Sequence, residues 1–445
     1  MSGDSMNERA REVCLPGESR RLKTLVALCA VLAMGASASA QTIGSWVETP
    51  ASPVPPPLIA SSQSIDAVRK EYPMHVGPVF LKPGLLLREL GVDSNVFNDG
   101  SDPKSDFVAV LTPSLEAVVT IARRALVRTS GGVDLVYYHK YANQRSIDPR
   151  GAIQAEVYAN RVSFFANASL VNTKQRDNFD VDLRLRHQNA TLNGGVSVRV
   201  TPKTHVDAAV HYGEFAYASD STVAGDVLER NLDHTTRGFT LTTRHKLTPL
   251  TTVVGLYDNL HDRFPNVPLR DADSYRVMGG FEFKPRALIT GTAYVGYRHF
   301  TPLSSALPVF SGVISRLSLS CTFFGGTMVG VAADRDVGFS VDELSPYYVD
   351  DGIAVYVRQA LGGDFDVMAD AGRHTYNYRS LESLVEAGRP ARIDTTDGTG
   401  VSLGYSIRHK TRVGVGARYI SRRSNVIQAR NYNGLRYGAL VTVGF

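Results

Sequence analysis

Three groupings of residues in this chain have types and spacings that could do chemistry. Gly400-Val401-Ser402-Leu403-Gly404 fits the G-x-S-x-G pattern of a serine nucleophile, which needs a strained strand-to-helix turn to present its hydroxyl. Here the stretch runs on through Tyr405 and Ile407 with the alternation of an ordinary strand, so no nucleophile is expected. The 11 histidines have no H-E-x-x-H or C-x-x-C company, the spacings that gather zinc ligands. His205 and His211 flank Asp207, but residues six apart on a strand are about 20 Å apart and cannot share a metal. Asp177, Asp180 and Asp182, and again Asp271 and Asp273, could gather around calcium, yet neither set has the spacing of a calcium loop, and solvated loops are expected. No cofactor or metal is indicated. A lipid-modifying enzyme would need a Ser-His pair at the membrane rim, and no spacing singles one out.

The elements that would position side chains in this sequence are strands. From Val79 onward, segments of about ten residues alternate apolar with polar or small side chains, a period of two rather than 3.6. In the final segment Tyr437, Ala439, Val441, Val443 and Phe445 fall on one face, and Arg436, Gly438, Leu440 and Thr442 on the other. Residues 275–283, 316–323 and 412–419 repeat the arrangement. One face suits lipid and the other a wet interior. Taking the apolar faces as outward puts Glu116, Asp134, Arg199, Asp207, His211, Arg244, Arg276, Glu282, Arg298, Arg316, Asp334, Arg358, Asp366, Asp370, Arg412, Arg418 and Arg436 on the lumen side. Arginine predominates among them, and a slightly positive lumen would favour anionic solutes, acidic polymers included. Tyr138, Tyr294 and Tyr356 share the inward register, where ring faces could meet a sugar.

Connections are alternately tight and long. Thr201-Pro202-Lys203-Thr204 and Thr248-Pro249-Leu250-Thr251 are the clearest repeat, and Ala122-Arg123-Arg124, Asn160-Arg161, Lys284-Pro285-Arg286, Gly325-Gly326, Gly362-Gly363 and His409-Lys410 are further tight turns. Polar stretches such as 93–106, 142–150, 219–232, 264–270, 341–346 and 380–390 lie between them. Short turns on one side and long loops on the other describe an outer-membrane barrel. Hydrocarbon offers the backbone no water, so a spanning sheet must close on itself. The expected fold is therefore all-β, a transmembrane antiparallel β-barrel of about 18 strands (16 as the nearest alternative), with short periplasmic turns and long extracellular loops. A soluble sandwich would show the same alternation, but would not pair a signal peptide with a terminal aromatic strand.

Residues 1–40 form an address. Arg20, Arg21 and Lys23 precede an apolar run from Leu25 to Met34, and Ala38-Ser39-Ala40 offers a signal-peptidase site before Gln41. The run is shorter than the roughly 20 apolar residues of a membrane span. Lys23 and Thr24 weaken a twin-arginine signal, and no small residue precedes Cys29 as lipidation requires, so general secretion is expected. Pro50, Pro53, Pro55, Pro56 and Pro57 make residues 41–78 an extended periplasmic arm, with a short helix at 62–72, and the single tryptophan, Trp46, falls in it, outside the barrel at 79–445. Export removes Cys14 and Cys29, leaving Cys321 alone and no internal disulfide. The 48 basic and 43 acidic residues, net +5, form no basic stripe, which argues against nucleic acid as a partner.

Two resemblances sharpen this picture. Tyr437, Gly438, Val441, Val443 and Phe445 form a segment that resembles the C-terminal signal of barrel precursors, which implies recognition by the barrel-assembly machinery and insertion among outer-membrane lipids. Asp93-Ser94-Asn95-Val96-Phe97, the Arg123-Arg124 turn after Thr112-Pro113-Ser114-Leu115, and the proline turns resemble the family of outer-membrane beta-barrel porins found with exopolysaccharide operons, most closely over residues 85–141. That resemblance implies a pore passing a secreted polysaccharide, partnered by a periplasmic polysaccharide export protein. A general diffusion porin for small solutes is the alternative, and a loop folded inward to constrict the lumen would favour it.

Overall fold

The computed structural model describes residue 72 and residues 74–444, apart from 123, 177–179, 181–182, 219–221, 224–225, 228–230, 285–287, 325 and 408–410. The expected signal peptide, the arm up to residue 71 with Trp46, most of the expected helix at 62–72, Arg123, His409, Lys410 and Phe445 lie outside the described residues.

Alternation becomes strands throughout. After a short β1 (Met74–Val76) come β2 (Val79–Asp93), β3 (Asp106–Ile121), β4 (Ala125–Tyr138), β5 (Ser146–Ala159), β6 (Val162–Thr173), β7 (His187–Arg199) and β8 (Thr204–Tyr217). Two-residue strands β9 (Thr222–Val223) and β10 (Asp226–Val227) pair within a loop. The ring resumes with β11 (His234–Lys246), β12 (Thr251–Arg263), β13 (Ala272–Phe283), β14 (Ile289–Pro302), β15 (Phe310–Phe323), β16 (Thr327–Phe339), β17 (Tyr347–Gly362), β18 (Phe365–Arg379), β19 (Ile393–Ile407), β20 (Thr411–Ser424) and β21 (Tyr432–Gly444). A short helix, α1 (Glu382–Glu386), sits in the β18–β19 loop. Each long strand pairs antiparallel with its sequence neighbours, and β2 pairs with β21, for example Leu86 with Thr442, to close an eighteen-strand barrel. Closure leaves no edge to satisfy in hydrocarbon.

Local chemistry sets the turns. The two Thr-Pro-x-Thr copies fold alike: Thr201 Oγ1 accepts the amides of Lys203 and Thr204, and Thr248 Oγ1 those of Leu250 and Thr251. Such side-chain capping stabilises a reversal without ladder hydrogen bonds. One irregularity was not legible from alternation. A bulge in β2 shifts the register between Arg88 and Gly91, with Glu89 at φ 55°. Because one extra residue reverses the side-chain facing that follows it, the bulge turns Asp93 inward, where it pairs with Arg436 at 3.0 Å.

Two faces with different contents result. Leu192, Val277, Val295 and Val355 are 41–60% exposed on the outside, while Val110, Val118, Leu126 and Ile314 are at most 1% exposed on the inside. Large inner side chains are accommodated by glycine on the paired strand. A methyl group on Gly330 would lie 2.1 Å from the Tyr356 ring, and one on Gly280 would lie 2.7 Å from the Tyr294 ring, so both tyrosines lie flat against the wall. At the periplasmic end, β1 folds back on β2, pairing Met74 with Leu81. Tyr72 is buried against Val118 and Leu126, inner-face residues, and so sits on the lumen side of the wall.

The two faces can be tested with neighbouring residues. Leu192→Arg points into lipid near the middle of β7 and should cost about 2–4 kcal/mol, seen as lost heat-modifiable barrel in outer membranes. Asn193→Arg faces inward, beside the unpartnered carbonyl of Asn167, and should assemble at wild-type yield.

Candidate channel and its mouth

The inner face is built from charges that pair across strands. Asp134 on β4 receives Arg88 of β2 at 2.7 Å and Arg150 of β5 at 3.2 Å. Arg244 on β11 bridges Asp207 of β8 and Glu282 of β13, and the Tyr294 hydroxyl also donates to Glu282 at 2.8 Å. Arg276 lies between Asp258 of β12 (2.8 Å) and Asp336 of β16 (3.0 Å), and Asp336 takes Arg298 at 2.6 Å. Asp366 receives Arg358 and Arg412, and Asp370 receives Arg418 at 2.6 Å. The residues with inward register are thus largely brought together. Glu116, Arg316 and Asp334 make no ion pair among the described residues, and Arg199 donates only to the Asn160 carbonyl at 3.3 Å. His211 faces inward with an unpartnered Nε2. Tyr138 is buried on the same wall, under the guanidinium of Arg184.

Several acids on this wall are not among the residues that alternation singled out. Asp258, Asp336 and Asp394 pair with arginines of the same face, and Asp350 lies on it as well, so the wall is not dominated by cations. Strand parity carried to β12, β16, β17 and β19 would have found all four. Asp350 also lies 3.1 Å from His374 Nδ1, and one ligand atom each from these two and Asp334 lie within 4.8 Å of one another.

The extracellular mouth is crossed by chain. Asp180, in the connection between β6 and β7, meets groups on the opposite side of the ring. Arg176 donates to the Val96 carbonyl at 2.7 Å, so the Asp93-to-Phe97 segment serves as its anchor. That segment also joins the first strand to the last: Ser94 exchanges hydrogen bonds with Leu435, and the Asn95 amide reaches the Asn433 carbonyl at 2.8 Å. Leu183 and Leu185 pack on Tyr217, Leu232 and Val341. Asp180, read from the sequence as one of a solvated acidic trio, is instead fully buried. Its Oδ2 accepts from Ser340 Oγ (2.9 Å) and the Val341 amide (2.7 Å), and its Oδ1 from the Tyr378 hydroxyl (2.5 Å), Arg430 (3.1 Å) and Arg392 (3.4 Å). Arg422 is 3.9 Å away. Asp177 and Asp182 lie outside the described residues. The receiving loop, residues 340–346, is itself pulled inward by Arg270, which donates to the carbonyls of Ser340, Val341, Asp342 and Pro346.

A closed barrel with a lipid-compatible exterior, a charged interior and a barred mouth describes a porin. Residues 73–445 match the family described as "Putative beta-barrel porin 2". The chain belongs to that family. It is similar to a BenF-like porin from Pseudomonas fluorescens Pf-5, at 10% identity over 83% of this chain and 98% of that one (TM-score 0.48), and to OccK9 (OpdG) of Pseudomonas aeruginosa, at 12% over 83% and 99% (TM-score 0.47). It is also similar to the outer membrane transporter YddB from Escherichia coli, at 9% over 81% of this chain (TM-score 0.38), and it spans only 62% of that longer protein. No curated protein matches the sequence. Porins are not enzymes, and Gly400 to Gly404 lies within β19, without the strand-to-helix turn a nucleophile requires.

Two outcomes test this geometry. Asp258→Ala removes a fully buried partner of Arg276 and should cost about 3–5 kcal/mol in denaturant unfolding of the detergent-solubilised barrel, whereas Glu116→Ala, with no ion pair, should stay within about 0.5 kcal/mol. Burial would raise the pKa of Asp180, but Arg430, Arg392, the Tyr378 hydroxyl and Arg422 outweigh it and hold the carboxyl below its ordinary range. A lowered folded value means that the Asp180 contacts stabilise the barred mouth fully above the unfolded value of about 3.9 and lose their effect as pH falls through the lower folded value. Single-channel conductance should therefore be flat from about pH 7 to 5 and rise only below about pH 4. Asp180→Asn should show the acid-state conductance at neutral pH.

Proposed function

We propose that this porin is a selective channel for small solutes, with passage decided at the extracellular mouth. The observation that carries this function is Asp180, of the β6–β7 connection, fastened to groups on the far side of the ring. A strand wall whose charges neutralise one another exerts little net pull on a solute, whereas a mouth crossed by chain sets both size and chemistry. Residence in the outer membrane follows from the family. Export by a cleaved signal at residues 1–40, and assembly through the Tyr437-to-Phe445 segment, complete the proposal.

Export of a secreted polysaccharide beside a periplasmic export protein is the second proposal, implied by the resemblance over residues 85–141. Its support in the structure is the pair of inner tyrosines, Tyr294 and Tyr356, laid flat over Gly280 and Gly330. Aromatic faces suit the apolar faces of sugar rings, but Tyr294 is buried against the wall and only Tyr356 is part-exposed, and a polymer would need the bar at the mouth to move aside. Liposome swelling separates the two functions. Small-solute passage predicts rapid entry of monosaccharides and a steep fall with oligosaccharide length. Equal entry of monosaccharides and long oligosaccharides would instead establish the polymer route.

A further inference from the structure

We propose that the donors around Asp180 form a carboxylate-binding site at the extracellular mouth, filled here by the protein's own side chain and taken over by the carboxylate of an incoming small organic acid. This rests on the solute-channel function above and names the substrate class that the mouth would select.

The donors surround a carboxylate group more than they do an aspartate. Both oxygens are served, Oδ2 by Ser340 Oγ and the Val341 amide and Oδ1 by Tyr378, Arg430 and Arg392. Only Arg430 also reaches the Asp180 backbone, at 3.3 Å to its carbonyl. Charge-assisted hydrogen bonds of this kind are among the strongest a protein makes to an anion.

Most of the donors are held in place by contacts that do not involve Asp180. Arg392 is fixed by Asp342 (3.0 Å), by Asp394 (2.6 Å) and by stacking 3.7 Å above the Tyr378 ring. Arg422 is held by Asp394 at 2.7 Å. The Ser340–Val341 turn is held by Arg270. Withdrawal of Asp180 would therefore leave the site standing rather than collapse it.

The charge left behind is positive. With Asp180 in place, Arg392, Arg422 and Arg430 face Asp180, Asp342 and Asp394. Without it one guanidinium is uncompensated, and that is Arg430, whose only ion pair among the described residues is with Asp180. The Arg430 side chain is 16% exposed, and a largely desolvated cation without a partner is costly, so the vacated site favours an anion of one charge over a neutral solute. Because the loop carboxylate and the solute carboxylate compete for one set of donors, an acid that binds also releases the bar across the mouth.

The test uses the full-length porin in planar bilayers at fixed ionic strength, with galacturonate against galactose, which differ by one carboxylate. Wild type should show a saturable galacturonate-dependent change in current that galactose does not produce. Asp180→Asn, or Asp180→Ala if the first assembles poorly, removes the internal competitor and should shift the half-saturating galacturonate concentration down by about tenfold or more. Adding Arg430→Gln to either variant should abolish that gain. Equal galacturonate affinity in wild type and both Asp180 variants, or an equal response to galactose, would overturn the site while leaving neutral-sugar permeation, and with it the channel function, intact. Failure of galactose itself to permeate would tell against the channel.

Discussion

Every feature of this molecule depends on one constraint: a backbone placed in hydrocarbon must find all of its hydrogen-bond partners within itself. The antiparallel ladder satisfies all residues but those at its two borders, and pairing β2 with β21 removes the borders. Once the sheet is a ring, strand parity sorts side chains into lipid and lumen without further instruction. The bulge at Glu89 and the Asp93–Arg436 pair sit at that same seam, so the join between first and last strands is locked by a charge pair as well as by main-chain bonds.

The wall and the mouth use charge differently. On the wall, arginines alternate with carboxylates from neighbouring strands and from strands further along, as Arg276 and Arg298 do around Asp336. Such a lattice stiffens the cylinder and leaves little net field. At the mouth, three guanidiniums converge near one loop carboxylate that originates far away in sequence. Desolvation there makes each of these interactions stronger than it would be in an open channel. Discrimination by charge is thus concentrated at the entrance.

How much of this could be read from the amino acids follows from the range of each interaction. The facing of Val441 and Thr442, the tight turns at Thr201 and Thr248, and the eighteen strands are local, and period two reveals them. The partner of Arg276 on β16 depends on barrel curvature and side-chain reach, and nothing near residue 276 or residue 336 announces it. Glu89 breaks parity through a backbone conformation that its identity does not signal. Asp180 looked like one of several loop acids because its partners lie 160 to 250 residues away in sequence. The Asp93-to-Phe97 motif was visible, but its work in joining the seam and receiving Arg176 was not.

The order in which the chain is made gives the barred entrance one more property. Asp180 is synthesised well before any of the groups that receive it, which all lie between residues 340 and 430. The strap therefore has no berth until the strands that carry those groups are paired. Sealing of the entrance thus depends on the second half of the chain, from the β16–β17 loop to the β20–β21 loop.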